Sequence, residues 1–228
     1  LVTVVAPESV AGQIAAIVPE AMVHGAPETG LGSLRLDCWN KWRKKLGNFT
    51  AILAGPGMTQ HPATRALVKN ILRDSRSPVV LDADALNLAS ENPDLLHSIP
   101  KNAILTPHPK EFQRLLGKSW KDDYEKLDLL RDFAQNHQLI VCLKGAHTAV
   151  ALPDGSIHFN SSGNPGMATG GSGDVLTGIL TGLLAQGLSP AEAAVFGVYQ
   201  HGAAGDRAAL KCTQPGLIAS DIIKEMGW

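Results

Sequence analysis

Short β-branched apolar runs alternate with segments of helical periodicity along this chain, and that alternation limits its fold more than any other feature. The predicted strands cover residues 2–5, 50–53, 79–81, 103–105, 139–143 and 148–152. The helices predicted between them lie near residues 63–74, 109–116 and 122–136. Strands that alternate with helices form βαβ units around a mainly parallel sheet. We therefore predict an α/β fold of three layers, with a central sheet flanked by helices.

Two segments depart from this alternation. Residues 151–159, with Asp154-Gly155 at the tip, predict a hairpin that adds an antiparallel edge to the sheet. Residues 24–48 are polar and contain tryptophan, and we interpret them as an excursion on the surface or at an oligomer contact.

The last third of the chain is predicted to be helical. One helix covers residues 174–186 and stops at Gly187, a typical residue after a helix end. Ser189, Pro190 and Glu192 form a capping box that opens the next helix, which continues to about Leu210.

Composition excludes several classes of protein. With 228 residues the chain fits one domain. Lys and Arg total 20 against 21 Asp and Glu, so the balance of charge favours neither nucleic acid nor an anionic membrane as partner. No apolar run approaches the ~18 residues of a membrane span. Three distant cysteines without a CxxC pair are typical of a reduced, cytoplasmic protein.

The amino-terminal run Leu-Val-Thr-Val-Val has no cationic segment and no small-residue cleavage site, so it does not resemble a signal peptide. It opens directly on a strand pattern without an initiator methionine. We expect that residues precede Leu1 in the complete protein.

Chemistry-bearing residues follow four successive predicted strands. Ligands of parallel sheets bind beyond the carboxyl ends of the strands, so these residues are expected at one rim. In chain order they are Gly55 and Gly57, then Asp82 and Asp84, then His108 between two prolines, and then Lys144.

The most informative segment is the glycine-rich run that ends in Gly170, Gly171, Ser172, Gly173 and Asp174 and leads into a helix. Four of the eight residues 166–173 are glycine. Glycines before a helix let its free amides close on an anion. We predict that Asp174 is the catalytic carboxylate, taking a hydroxyl proton while the amides hold a transferring phosphoryl group. The alternative is that Asp174 is only an N-cap residue or a first-turn acid of the helix.

Other rim residues also have structural alternatives. Asp82 and Asp84 could hold Mg²⁺ through water, or one could cap a short helix that begins at Ala85. His108 could point at a substrate or cap a helix, and Lys144 could neutralise phosphate or lie at the surface. Glu111 is expected to close a helical first turn. Neither a Walker A motif nor a GxGxxG after the first strand is present.

These motifs together resemble the ADP/ATP-dependent NAD(P)H-hydrate dehydratase family. Val-Leu-Asp-Ala-Asp-Ala-Leu-Asn at residues 80–87 and the segment at 170–179 are similar to its two signatures. Residues 54–57, 106–111 and 144–148 are similar to its other landmarks. The resemblance covers nearly the whole chain. It implies a ribokinase-like fold and an enzyme that repairs hydrated NADH and NADPH with ADP or ATP.

The resemblance also implies roles for individual residues. Gly57, His108 and Asp174 would contact the hydrated substrate. The nucleotide would lie against five consecutive residues and one glycine, namely Lys144, Gly145, Ala146, His147, Thr148 and Gly173. The family's first strand and glycine-rich turn would lie upstream of Leu1, and an epimerase domain could precede them. A homotetramer and Mg²⁺ with the nucleotide are further implications.

The expected reaction is phosphorylation-driven dehydration. Asp174 would deprotonate the C6 hydroxyl while the terminal phosphoryl group of ADP is transferred to it, and phosphate would then leave. A related small-molecule kinase, acting on a vitamin precursor or a sugar, would use the same loop and stop at the phosphorylated product. A third hypothesis is a nucleotide sensor or assembly scaffold that has the same fold and no catalytic activity.

Overall fold

The computed structural model describes residues 1–227, which contain eight strands in two sheets. The strands are β1 (Thr3–Pro7), β2 (Met22–Ala26), β3 (Ile52–Ala54), β4 (Val79–Leu81), β5 (Ile104–Leu105), β6 (Ile140–Leu143), β7 (Ala149–Ala151) and β8 (Ile157–Phe159). β1 and β2 pair in parallel as a two-stranded sheet. β3 to β8 form a six-stranded sheet in chain order, parallel through β6. β7 and β8 add in antiparallel orientation, which confirms the predicted hairpin.

Helices lie between and after the strands. They are α1 (Glu8–Ile17), α2 (Trp39–Trp42), α3 (Pro62–Asp74), α4 (Ala83–Ser90), α5 (Pro93–His97), α6 (Pro109–Leu116), α7 (Asp123–His137), α8 (Ser172–Ala185), α9 (Pro190–Cys212) and α10 (Ala219–Lys224). The predicted helices correspond to α3, α6, α7, α8 and α9. Three short 3₁₀ turns complete the regular structure of residues 1–227.

The six-stranded sheet carries a separate apolar core on each face. Alternate residues of a strand point to opposite faces, and β4 shows this directly. Leu81 packs into the core that contains Phe112 of α6, whereas Val80 packs into the core that contains Leu180 of α8. Helices therefore cover both faces, which confirms the predicted three-layer architecture.

The interpretation of residues 24–48 as a surface excursion was wrong for its two tryptophans. Trp39 and Trp42 are only 6% and 7% exposed and pack with Leu67 of α3 in a third apolar cluster. The basic side chains between and after them remain exposed, and the Nζ atoms of Lys41 and Lys45 lie 5.6 and 5.3 Å from the Trp42 ring. The polar composition of this segment therefore did not reveal that its two tryptophans anchor it to the core.

Within residues 1–227, every helix is too short or too polar to cross a lipid bilayer.

Candidate active site

The carboxyl ends of β3, β4 and β6 meet the start of α8 at one rim. A Cβ atom placed on Gly173 would lie 3.4 Å from Nζ of Lys144 and 3.9 Å from Oδ2 of Asp82. The main-chain amide of Lys144 donates to the carbonyl of Pro107 at 2.9 Å, which ties the loop after β5 to the same place. The structure therefore brings together the loops that sequence analysis assigned to one rim.

The amino terminus of α8 presents free amides. Gly171 precedes the helix in the left-handed region, with φ at 84°, and its carbonyl accepts from the Val175 amide at 3.0 Å. Among residues 1–227, no protein acceptor takes the amide hydrogens of Gly173 or Asp174. Such amides, together with the helix dipole, favour an anion. We refer to this feature, the amides of Gly173 and Asp174, as the amide cup.

Asp174 lies at the mouth of the amide cup and is exposed to solvent. Partial burial raises the pKa of its carboxyl above the ordinary value, and the negative charge of Asp82 adds to this effect. Lys144 opposes both with its positive charge. A carboxylate with a raised pKa is a stronger base than an ordinary aspartate, as proton abstraction requires.

Asp82 and Lys144 form an ion pair beside the amide cup. Oδ1 of Asp82 accepts from Nζ of Lys144 at 2.9 Å, and the two side chains are 3% and 22% exposed. Asp82 occupies the cap position before α4, yet its side chain makes no capping bond. Asp84 accepts from the Thr59 amide at 2.8 Å and thereby holds the loop after β3. The capping alternative was therefore wrong for both aspartates, and α4 begins at Ala83 rather than Ala85.

His108 and Glu111 cap α6 reciprocally. Nδ1 of His108 accepts from the Glu111 amide at 3.3 Å, and Oε2 of Glu111 accepts from the His108 amide at 2.8 Å. Both structural alternatives are thus confirmed. The His108 side chain is still 45% exposed, so a ligand could reach it. A substrate contact by His108 stays a prediction.

The other predicted binding residues lie in exposed turns. Gly57 has φ at 67°, and no atom approaches the position of its missing Cβ within 4 Å among residues 1–227. The residues after Lys144 form the short connection from β6 to β7, in which Gly145, Ala146 and His147 are exposed. The Thr148 hydroxyl donates to the Gly145 carbonyl at 3.3 Å and stabilises this turn. Their binding roles stay predictions.

Two residues of α9 contact the segment before α8 and the first residue of α8, and sequence reasoning missed both. Asp206 accepts from the Gly163 amide at 2.8 Å and from the Asn164 side chain at 2.9 Å. Nε2 of His201 lies 3.3 Å from the Ser172 hydroxyl. No spacing in the sequence signals either contact, because the partners are 29 to 43 residues apart.

Because His201 is buried, we expect the stability of the fold to decrease in acid. Burial lowers the pKa of His201 to about 4, and the positive charge of Lys144 adds to this effect. The pKa of a histidine in an unfolded chain is about 6.5. Below that pH the unfolded chain therefore binds a proton at His201 that the folded chain does not bind. Stability should therefore fall between pH 6.5 and 4, by as much as roughly 3 kcal/mol from this group, and no further below pH 4.

Urea unfolding of the wild type and His201→Gln at pH 7 and pH 4.5 checks this expectation. Glutamine keeps a hydrogen-bonding group near Ser172 but does not titrate. The variant should lose less stability than the wild type on acidification. Equal losses would show that His201 does not cause the acid sensitivity.

A groove of about 570 Å³ opens beside Asp174. Its lining consists of Asp174 together with Val175, Gly178, Ile179, Gly182, Ile223 and Met226. A second groove of about 560 Å³ lies between the β7–β8 hairpin and α9, and its walls are mainly apolar. The first of these two grooves shares only Asp174 with the rim and the second shares no rim residue, so the candidate active site is placed at the rim around Asp174, Asp82 and Lys144 and not in either groove.

Comparison with known proteins identifies the family of the chain. The sequence model of the NAD(P)H-hydrate dehydratase family matches residues 1–227. The chain belongs to this family. The resemblance seen in the motifs is thereby confirmed.

Two curated relatives show how much of a longer protein the chain represents. A bifunctional NAD(P)H-hydrate repair enzyme of Moorella thermoacetica is 43% identical over 224 residues, which is 98% of this chain but 42% of the relative. An ADP-dependent (S)-NAD(P)H-hydrate dehydratase of Neisseria meningitidis is 39% identical over 215 residues, 92% of this chain and 71% of the relative. The chain thus spans less than half the length of the Moorella relative.

Two solved structures share the fold. The ADP/ATP-dependent NAD(P)H-hydrate dehydratase of Bacillus subtilis, co-crystallised with ATP and Mg²⁺ and soaked with CoA, superposes with a TM-score of 0.77 at 30% identity. The match covers 96% of this chain and 76% of that one. A ribokinase-like superfamily protein of Enterococcus faecalis gives a TM-score of 0.83 at 27% identity, over 99% of this chain and 75% of that one. The ribokinase-like fold is confirmed.

Proposed function

We propose that this chain is the dehydratase domain of an enzyme that restores hydrated NADH and NADPH with ADP as phosphoryl donor. The observation that carries the proposal is an exposed carboxylate, Asp174, at the mouth of free helix amides and beside the buried Asp82–Lys144 pair. The family to which the chain belongs and the ADP-dependent activity named for the Neisseria relative support it.

The proposed chemistry uses each part of the rim. The amide cup and the Lys144 ammonium hold the terminal phosphate of the nucleotide. Asp174 takes the proton of the C6 hydroxyl. At the same time the hydroxyl oxygen bonds to the terminal phosphorus of ADP, and AMP leaves. The ring nitrogen then expels phosphate, a far better leaving group than hydroxide, and loss of a proton from C5 to solvent restores the dihydropyridine ring. The products are AMP, phosphate and the reduced cofactor.

Binding contacts are proposed on the same basis. Gly57 and His108 contact the hydrated nicotinamide nucleotide, and the β6–β7 turn with Gly145, Ala146, His147 and Thr148 lies along ADP. Gly173 lets the phosphate approach, because a side chain there would lie against Lys144.

The described residues do not by themselves form a Mg²⁺ site. Within residues 1–227, no three histidine, cysteine or acidic side chains cluster as a metal would require. Asp82 and Asp84 are each committed to a protein donor, Lys144 and the Thr59 amide respectively. Any Mg²⁺ is therefore proposed to arrive with the phosphates of the nucleotide, and no step of the reaction is assigned to it.

The decisive experiment supplies hydrated cofactor to the purified protein with ADP and with ATP separately. Return of absorbance at the reduced-nicotinamide band with ADP, together with release of AMP and phosphate, is the expected result. Accumulation of a phosphorylated cofactor or vitamin precursor would instead favour the kinase alternative. ADP binding without phosphate release would favour a sensor.

The setting of the domain is proposed as well. A single domain over residues 1–228 within a larger protein, with an epimerase domain before it, is suggested by the bifunctional relatives. A homotetramer and a cytoplasmic location complete the proposal. The latter is supported by Cys38, Cys142 and Cys212, which are all unpaired within residues 1–227.

A further inference from the structure

Asp82 is a buried carboxylate whose only side-chain hydrogen bond within residues 1–227 goes to Lys144. It lies at the end of β4, and its partner lies 62 positions later at the end of β6. A buried carboxylate without a cation nearby is strongly disfavoured, so this pair holds both groups in place. The pair therefore fixes where a flexible lysine side chain ends.

The fixed end of Lys144 lies at the amide cup. Nζ of Lys144 and Oδ2 of Asp82 both flank Gly173, the residue immediately before Asp174. Asp82 does not cap α4, and the described residues place no metal-binding cluster around it. Neither of these ordinary roles explains a carboxylate buried at this point.

We propose that Asp82 is a positioning residue for the proposed reaction, holding the Lys144 ammonium where the terminal phosphate of the nucleotide binds. Asp82 then acts through Lys144 and does not touch the nucleotide. The inference rests on the proposed function for its ligand, but its main readout is ADP binding rather than turnover.

A double-mutant cycle on ADP affinity tests this role. Asp82→Ala and Lys144→Met should each weaken ADP binding about tenfold, because each removes the charge-assisted contact from the phosphate. If Asp82 acts only through Lys144, the double variant should bind ADP no more weakly than Lys144→Met alone. Calorimetric titration with ADP measures all four proteins. A double variant weakened about a hundredfold, the product of two independent effects, would overturn the proposal.

The pH profile of turnover gives a second readout that a merely structural role would not move. Asp174 faces the charges of Asp82 and Lys144. His201 of α9 contacts the nearby Ser172 hydroxyl. The negative charge of Asp82 raises the pKa of Asp174, and the positive charge of Lys144 lowers it. Asp82→Asn should therefore move the acid limb of kcat to lower pH, and Lys144→Met should move it to higher pH. Unmoved limbs in both variants would contradict the proposal.

Folding is controlled in two ways. The double variant removes both charges, so it leaves no unpaired charge in the interior and should fold when a single variant does not. Asp123→Asn removes one side of an exposed pair of similar length, 2.6 Å to Lys126, and should change neither ADP affinity nor the acid limb. If the wild type binds ADP but restores no hydrated cofactor, the proposed function fails, while the cycle still decides the role of Asp82.

Discussion

An Asp174→Asn variant is expected to bind ADP with nearly unchanged affinity and to restore hydrated cofactor at least roughly 10²–10⁴-fold more slowly. Asparagine keeps the size of the side chain and leaves the main-chain amides of the cup in place. It cannot accept the hydroxyl proton, so the transition state loses its general base. The loss should therefore appear in kcat, with little change in the ADP concentration needed for half-saturation.

Single-turnover measurements with hydrated NADH and ADP separate this chemical effect from product release. Asp123→Asn is a matched control, because Asp123 is also an acid in the first turn of a helix. If Asp174 were only a first-turn acid, its variant would behave like Asp123→Asn. Wild-type turnover by Asp174→Asn would remove the general base from the proposed mechanism.

The sheet was predictable because its strands are short and strongly apolar. β4 is a run of three apolar residues that are all buried, and its observed bounds, Val79–Leu81, are the predicted ones. The capping box at Ser189 predicted the start of α9, and the left-handed Gly187 predicted the end of α8. Both were predictable because these signals are local.

Elements without a local signal were missed. β2 pairs with β1 in the separate two-stranded sheet, and α1 connects these two strands. α1 buries none of its residues, so its sequence carries little apolar periodicity. Gly178 and Gly182 lie one turn apart on α8. Within residues 1–227 nothing comes within 4 Å of a Cβ at either position, because this face of α8 lines the groove beside Asp174.

The site was predictable as a set of loops but not as a set of contacts. Parallel strands place their carboxyl ends at one rim, so position alone collected Asp82, Lys144 and Asp174. Which of them pair depends on distances between residues far apart in sequence, and this the pattern does not encode. The commitment of Asp82 to Lys144, rather than to a metal or a helix cap, is therefore a result of the structure.

The other large effect is expected for Gly55→Ala, which should abolish folding or lower stability by more than about 3 kcal/mol. A Cβ on Gly55 would lie 1.8 Å from the carbonyl oxygen of Asp82 and 2.8 Å from its carbonyl carbon. Main-chain atoms cannot rotate away as a side chain can, so the ends of β3 and β4 would have to separate. Gly55 also has φ at 133°, which alanine rarely adopts.

Gly117→Ala distinguishes the steric effect from the conformational one. Gly117 also has a positive φ, 67°, but a Cβ there would meet no atom within 4 Å among residues 1–227. Its variant should lose only about 1–2 kcal/mol, the ordinary cost of a left-handed alanine. Urea unfolding followed by circular dichroism compares the two. Similar losses would mean that β3 and β4 can separate freely. In that case the lack of a side chain at Gly55 would not be what lets the ends of β3 and β4 approach each other.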